Sequence, residues 1–233
     1  MAGSLLSRSD YPLEDGLPAA RQRIQERISQ VRILDLVQAQ ALIRVRQEQG
    51  LDSYDEVWNG VYIVPPLANN PHQNLVGLLT AILYEVIVLP GQGLVQPGVN
   101  VSDRRAGWED NYRVPDLVVV RKGSRAVDCT THWCGGPDFL IEIESPGDET
   151  EEKLPFYSAV GVQELLIIHR DTRELRLYRH DGDQLVGVGP SVGRGKKGLA
   201  SAVVPLAFRR WSRRGVPRTE VWRTDRKRGK WIV

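Results

Sequence analysis

The spacing of apolar residues along the chain predicts three helices. From about residue 18 to 49, apolar residues recur mostly at three- and four-residue steps, and Gly50 follows as a helix stop. A second helix is predicted from Asn70 as N-cap, with Pro71 at its first position. Its apolar stripe consists of Leu75, Leu78, Leu79, Ile82 and Val86. A third helix is predicted over residues 147–161, with Thr150 as N-cap and Pro155 shortening or distorting it.

Apolar runs of strand length separate and follow these helices. One short strand is predicted in EVWNGVYIVPP, an extended segment from Gly91 to Val101, and another strand in YRVPDLVVVRKG, where Asp116 lies near the start. QELLIIH, ELRLYRH and QLVGV predict three strands joined by tight turns, and SAVVPLAF and EVWRTDRKRGKWIV predict further short strands. The order of helix, three strands, helix and strand, with a β-rich continuation, predicts a mixed α/β fold.

The run DFLIEIESP at residues 138–146 has strand length but contains two glutamates. Because side chains alternate between the faces of a strand, Glu142 and Glu144 share one face, and Phe139, Ile141 and Ile143 share the other. A carboxylate that faces a core is normally paired, protonated or bound to a cation. The alternative is an edge strand with one solvated face, on which glutamates are ordinary.

Composition is that of a soluble globular protein, but the charge is divided unevenly. No apolar run among the 233 residues approaches the roughly 20 that a membrane helix needs. The N-terminus lacks the pattern of a secretory signal, so we expect a cytoplasmic location. From Arg194 onward, 13 Lys and Arg residues accompany two acids, a net charge of +11, which leaves −9 for the remainder. The basic segment is either a contact for a polyanion or a solvated tail.

The segment DCTTHWCGG contains Cys129, His132 and Cys134. A zinc site would need a fourth ligand and a more regular spacing. A disulfide is not expected in a reducing compartment. We therefore predict a loop with two free thiols.

Asp116, Glu142 and Lys153 belong to successive predicted elements, so their side chains can converge. Neighbouring strands lie roughly 5 Å apart, and two carboxylates at matched height can share one divalent cation. Mg²⁺, or Mn²⁺ in its place, takes a few oxygen ligands, to which the Ile143 carbonyl could add, and suits a phosphate substrate. Lys153 would orient a water molecule or stabilise charge that develops on the phosphate. The alternative is a structural salt bridge.

This arrangement resembles the PD-(D/E)XK nuclease superfamily, with Pro115–Asp116 as the P-D and Glu142-Ile-Glu144 as the E-X-K segment. The third position is Glu144 instead of lysine. Within the superfamily, the ordered motifs are similar to those of the Uma-two family of restriction-endonuclease-like proteins. The matching segments are Glu56-Val-Trp-Asn-Gly60, Pro71–His72, Pro115–Asp116, Glu142-Ile-Glu-Ser-Pro146 and Lys153-Leu-Pro-Phe-Tyr157 before Gly161.

The resemblance implies roles for six charged residues. Asp116, Glu142 and Lys153 would be catalytic, with Asp116 and Glu142 binding the metal and Lys153 replacing the missing strand lysine. Glu144 would be an added ligand or a partner of Lys153, and Glu56 would support the metal site. His72 would contact the site or simply pack at the start of its helix.

The resemblance also implies a restriction-endonuclease-like αβββαβ core with a mixed central sheet. We divide the chain into an N-terminal leader and amphipathic helix (1–50), a nuclease-like domain (51–190) and a basic, β-rich extension (191–233). The expected activity is Mg²⁺-dependent hydrolysis of phosphodiester bonds in a nucleic acid, DNA in the first instance. Nucleases of this superfamily often pair, which makes residues 18–49 a candidate homodimer contact. The alternatives are a nuclease-like fold that binds nucleic acid or protein without cleavage, and a protein whose basic tail alone binds DNA.

Overall fold

Seventeen strands account for most of the regular structure in the computed structural model, which describes residues 30–189, 198–226 and 228–233. They are β1 (Val31–Ile33), β2 (Glu56–Trp58), β3 (Val61–Val64), β4 (Gly93–Pro97), β5 (Val101–Ser102), β6 (Tyr112–Arg113), β7 (Leu117–Arg121), β8 (Val127–Asp128), β9 (Trp133–Cys134), β10 (Phe139–Glu144), β11 (Glu164–His169), β12 (Leu175–His180), β13 (Leu185–Gly187), β14 (Leu199–Ala200), β15 (Leu206–Arg213), β16 (Val216–Arg223) and β17 (Lys230–Ile232).

Helices are fewer than the strands in the same residues. The α-helices are α1 (Leu36–Glu48), α2 (Asn70–Leu83) and α3 (Leu154–Ala159). A π-helical segment, Tyr84–Val88, continues α2, and two 3₁₀ turns cover Trp108–Asp110 and Thr150–Lys153. None of these helices is long and apolar enough to span a membrane.

A six-stranded mixed sheet, in the order β13-β12-β11-β10-β7-β4, lies at the centre of the molecule. β10 and β11 are parallel, and the other neighbours are antiparallel. Because β10 is an interior strand whose first five residues are buried, the solvated edge-strand alternative is wrong. The expected mixed α/β fold with a mixed central sheet is confirmed.

The two faces of the central sheet pack against different elements. Phe139, Ile141 and Ile143 of β10 face a core that includes α2, its π-helical continuation and the C-terminal strands. Leu140 faces the other core, with Phe156 and Tyr157 of α3. Glu142 follows Leu140 by two positions and therefore lies on the α3 side of the sheet.

The basic C-terminal segment folds as a second antiparallel sheet, β14-β15-β16-β17. Leu206, Phe208, Val221 and Val233 are buried in the same core as α2. Phe208 stacks on Phe139 of the central sheet, with ring centroids 6.3 Å apart. The extension is β-rich as predicted, and one face of its sheet forms part of the main core.

A third sheet, in the order β1-β3-β2-β6-β5-β9-β8, holds most of the shorter strands. Its β2–β3 hairpin corrects the prediction of one strand in EVWNGVYIVPP. Asn59 and Gly60 both have positive φ, 51° and 84°, as a tight hairpin turn requires. The chain therefore reverses at Asn59–Gly60. Glu56, Val57 and Trp58 of β2 lie opposite Ile63, Tyr62 and Val61 of β3, respectively.

The predicted helix over residues 18–49 is wrong in its first described part. Residues 18–29 lie outside the described residues, and Val31–Ile33 form β1, paired with β3. The helix starts after Asp35, whose side chain accepts hydrogen bonds from the backbone N–H groups of Val37 and Gln38. The predicted stop at Gly50 is confirmed, because Gly50 has a φ of 64° and ends α1.

The other two helix starts also differ from the prediction. Asn69, one residue before the predicted cap, accepts a hydrogen bond from the His72 N–H, and Leu78 of the predicted stripe is 40% exposed. Thr150 is the first residue of a 3₁₀ turn and caps no helix. Pro155 lies in the first turn of α3, where it disrupts no helical hydrogen bond.

Candidate active site

Asp116 lies in the short connection between β6 and β7 and is partly buried. β7 begins at Leu117, which pairs with Ile141, so Asp116 lies opposite Glu142, one residue beyond the last pair. Asp116 Oδ2 accepts a hydrogen bond of 2.7 Å from the Ile143 N–H. This bond holds the Asp116 carboxylate beside the backbone of Ile143, the residue after Glu142. Asp116 and Glu142 therefore lie at matched height on their two strands, as predicted.

Lys153 reaches Glu142 from the junction between the 3₁₀ turn and α3. Its Nζ lies 3.2 Å from Glu142 Oε1. Tyr157 donates a hydrogen bond of 2.5 Å to the same oxygen. Lys153 and Tyr157 are four residues apart, a spacing that puts both side chains on one helical face.

Glu56 of β2 connects the lysine to the segment before Asp116. Its Oε1 accepts hydrogen bonds of 2.8 Å from Lys153 Nζ and of 2.8 Å from the Val114 N–H. Its Oε2 accepts a hydrogen bond of 2.6 Å from the Trp58 indole. Glu56 therefore orients both the ammonium group and the backbone that leads into Asp116.

His72, in the first turn of α2, contacts Asp116 directly. Its Nε2 lies 3.2 Å from Asp116 Oδ1. Burial acts to lower the pKa of His72, but the hydrogen bond and charge of Asp116 outweigh it, so the pKa is raised. The other ring nitrogen, Nδ1, is buried and has no hydrogen-bond partner among the described residues.

Glu144 has a different partner from the one predicted. It accepts a hydrogen bond of 2.6 Å from Arg176 of β12 and does not line the cleft. The expectation that Glu144 contacts Lys153 is therefore replaced by the contact of Lys153 with Glu56. β11 lies between β10 and β12, so Arg176 reaches Glu144 across that strand.

The charges around Lys153 do not balance. Burial raises the pKa of Glu142 to about 7; the Lys153 ammonium opposes this rise, and Asp116 and Glu56 add to it. Burial acts to lower the pKa of Lys153, but Glu142 and Glu56 outweigh it, so the pKa is raised and the ammonium stays protonated. Three carboxylates thus lie around one ammonium, and when all three are ionised they carry more charge than Lys153 neutralises.

Glu56, His72, Asp116, Glu142 and Lys153 all line one cleft of about 270 Å³. Sequence reasoning missed Asp148, which lines the same cleft and accepts a hydrogen bond from the Ser145 N–H. Burial raises its pKa. Four acids lie between residues 148 and 152, so no local pattern distinguishes the one that turns inward. Tyr157 was also missed as a site residue, although its spacing from Lys153 indicates a shared face.

The donor set of the cleft suits a hard cation. No group of three His, Cys, Asp or Glu side chains in the described residues is arranged to enclose a metal ion. Mg²⁺ differs from zinc in this respect, because it is bound through one or two carboxylates and keeps water and substrate phosphate as its other ligands. Asp116 and Glu142, opposite each other in the cleft, fit that requirement.

The cysteine loop lies apart from this chemistry. Cys129 and Cys134 are free thiols, as predicted. His132 is buried, with Nε2 2.9 Å from the Arg104 carbonyl oxygen and its ring stacked on Trp108. These contacts give His132 a packing role.

One family model and one solved structure are similar to this chain. A family model described as "Uma2: Putative restriction endonuclease" matches residues 41–213. A solved structure described as a putative nuclease belonging to DUF820, from Anabaena variabilis ATCC 29413, aligns with a TM-score of 0.46 and 18% identity over 57% of this chain and 75% of that chain. No curated protein matches the chain. Because the family model spans about three quarters of the sequence and every charged residue from Glu56 to Lys153, the chain belongs to the Uma2 family, as its ordered motifs predict.

Proposed function

We propose that this protein is a Mg²⁺-dependent endonuclease that hydrolyses phosphodiester bonds, with DNA as its first candidate substrate. The observation that supports the proposal most strongly is that Asp116 lies opposite Glu142, and that the partly buried Lys153 contacts Glu142, inside one cleft. Membership in a family described as putative restriction endonucleases supports the same reaction class.

Repulsion between Glu142 and its neighbours Asp116 and Glu56 argues for a cation in the cleft. A buried carboxylate with a pKa of about 7 is energetically costly when ionised. Asp116 and Glu142 would hold Mg²⁺ between them, which relieves this cost and offers the remaining coordination positions to water and phosphate. When bound there, Mg²⁺ would supply Lewis-acid polarisation of a phosphoryl oxygen.

Lys153 would act on the reacting phosphate. In the hydrolysis, a water oxygen forms a bond to phosphorus, the ester P–O bond breaks, and the leaving oxygen takes up a proton. Negative charge develops on the phosphate oxygens, and a protonated ammonium fixed beside them stabilises it. Glu56 and Tyr157 are positioning residues, because Glu56 holds the Lys153 ammonium and Tyr157 holds Glu142 Oε1.

A second candidate is a nuclease-like protein that binds nucleic acid without cleavage. Glu144 at the position of the usual strand lysine favours it. Pro155 in the helix that follows Lys153 was the other argument for this candidate. That argument is weakened, because Pro155 lies where a proline is tolerated and Lys153 still contacts Glu142. The two candidates differ in one requirement, since only the nuclease needs a cation at the carboxylates.

Cleavage of a supercoiled plasmid and of an RNA of the same sequence, each with and without Mg²⁺, tests the proposal. We expect nicking that requires Mg²⁺ and falls by about 10²–10³-fold or more in Asp116→Asn and Lys153→Met. Glu144→Gln is the matched control, because it removes a carboxylate from the same face of β10 outside the cleft. Equal cutting by the parent, Asp116→Asn and Lys153→Met would refute the assignment.

A further inference from the structure

A second groove continues from the carboxylate cleft along the outer face of α2. It has a volume of about 590 Å³ and shares three lining residues with the cleft, namely Tyr54, Gln73 and Asp116. The other lining residues are Val76, Gly77, Thr80, Ala81, Tyr84, Pro97 and Gly98. We call this feature the α2 groove. A substrate atom bound at Asp116 therefore has open space on this side.

The lining of the α2 groove suits a flat, uncharged group. Asp116, at the junction with the cleft, is the only charged residue among its ten lining residues. Gly77 and Ala81 keep the surface of α2 low, and the Thr80 hydroxyl is occupied by a hydrogen bond of 2.7 Å to the Val76 carbonyl oxygen. Gln73 supplies an exposed side-chain amide that can hydrogen-bond the edge of a base.

Two tyrosines border the groove with much of their surface exposed. Tyr54 is 56% exposed and Tyr84 is 49% exposed. The Tyr54 ring packs closely over Gly98, where an added Cβ would come within 3.0 Å of Tyr54 Cε1. A ring supported in this way presents a fixed surface, and aromatic rings of this kind stack with nucleic-acid bases regardless of their sequence.

We propose that the α2 groove binds the base of an unpaired nucleotide adjacent to the phosphate at Asp116. The inference rests on the proposed function and adds a substrate class to it, because the base of a paired nucleotide is stacked inside a duplex and cannot enter the groove. Extruding that base costs unpairing and unstacking energy, and the cost is least for a strand that is already single. The preferred substrate is therefore a single strand, or a locally unpaired site, and not an intact duplex.

Gly77 offers a way to fill the groove without disturbing the fold. It is exposed on α2, and a Cβ added there meets no heavy atom within 4 Å. Gly77→Trp places an indole in the groove. Asn74→Trp is the matched control, because it adds the same indole at an exposed position of α2 that does not line the groove. Tyr54→Leu removes the stacking ring by an independent route.

The experiment compares a fluorescently labelled 20-nucleotide single strand with its duplex. Cleavage is followed with Mg²⁺, and binding is followed by fluorescence anisotropy with Ca²⁺, which takes similar oxygen ligands. We expect the parent to prefer the single strand by about tenfold or more. Gly77→Trp and Tyr54→Leu should each weaken binding of the single strand by about tenfold, the contribution of one stacked base, and Asn74→Trp should match the parent.

The outcomes separate this inference from the proposed function. If the parent cleaves single strand and duplex equally, and Gly77→Trp binds and cleaves as the parent does, the groove inference is wrong while the nuclease assignment stands. If the parent cleaves nothing, the nuclease assignment fails, and a loss of binding confined to Gly77→Trp and Tyr54→Leu would still support the groove. If Gly77→Trp instead dissociates a dimer that the parent forms in sedimentation, the groove is a contact between copies and the inference is overturned.

Discussion

The carboxylate cleft and the C-terminal sheet are both rich in charge, but they hold it in opposite ways. In the cleft, Glu56 and Glu142 are buried, and both share hydrogen bonds with the partly buried Lys153. In the sheet β14–β17, Arg209 and Lys230 pair with Glu220, and Arg223 pairs with Asp225. Other basic residues of this sheet, such as Arg213 and Arg218, are exposed. Burial makes the cleft charges depend on one another, whereas solvent screens exposed charges such as those of Arg213 and Arg218.

The basic C-terminal segment is part of the folded core and not a separate cationic tail. By composition it is a cationic tail, yet its strands bury Phe208 and Val221 against the central sheet. Charged and apolar residues lie on different faces of the same strands, so a count of charge alone does not distinguish a flexible tail from part of the core. The interpretation in which the tail alone is functional therefore cannot be tested by simple truncation, because truncation also exposes the core.

The largest expected effect follows from this shared core. A chain that ends at Gly189 lacks Leu206, Phe208, Val221 and Val233, and the loss of their burial is comparable to a typical unfolding free energy of about 5–15 kcal/mol. We expect thermal denaturation, followed by circular dichroism, to show no cooperative transition for this chain. In the full chain, Phe208→Ala should cost about 3–5 kcal/mol, and the exposed Ser212→Ala less than about 0.5 kcal/mol. A cooperative transition at the parent's temperature in the shortened chain would separate the two regions.

A smaller effect is expected from the support of the cleft. Glu56→Gln weakens the contact with the Lys153 ammonium, and loss of such a supporting partner typically lowers activity or metal affinity by about 10–100-fold. The rate of Mg²⁺-dependent cleavage under single-turnover conditions measures this loss. Glu144→Gln serves as the control on the neighbouring carboxylate. A Glu56→Gln rate within twofold of the parent would mean that Glu56 has only a packing role.

The smallest effect is expected from the exposed cations of the sheet. Arg213→Gln combined with Arg218→Gln removes two charges that can contact phosphate, so the slope of log affinity against log salt should fall by at most about 1.8. Anisotropy titrations between low and physiological salt measure this slope. We expect the cleavage rate of bound substrate to stay near the parent's. A loss of binding above 100-fold would instead make the C-terminal sheet the main nucleic-acid surface.

The sequence predicts the parts of the molecule that depend on local pattern. The run at β10, the free thiols and the stop at Gly50 were expected from period or spacing, and Asp116, Glu142 and Lys153 were expected to converge. The hairpin at Asn59–Gly60 was missed although Asn-Gly is a strong turn signal, because the apolar residues on both sides resemble one strand.

Other features depend on partners that lie far apart in sequence. Arg176 is 32 residues from Glu144, and Glu56 is 97 residues from Lys153. No local pattern predicts such pairs, so Glu144 was expected as a ligand or as a partner of Lys153, whereas Glu56 makes that contact. Residues 31–33 form a strand only because β3 supplies its pairing partner, which overrides their helical spacing.

The proposed nuclease activity requires that Asp116 and Glu142 share one divalent cation. Calorimetric titration of the protein with Mn²⁺, repeated for Asp116→Asn and Glu144→Gln, tests it directly. We predict one binding site per chain in the parent and in Glu144→Gln, and loss of that site in Asp116→Asn. Absence of binding to the parent, or binding to Asp116→Asn with unchanged affinity, would contradict the assignment of the cleft as a metal-dependent active site.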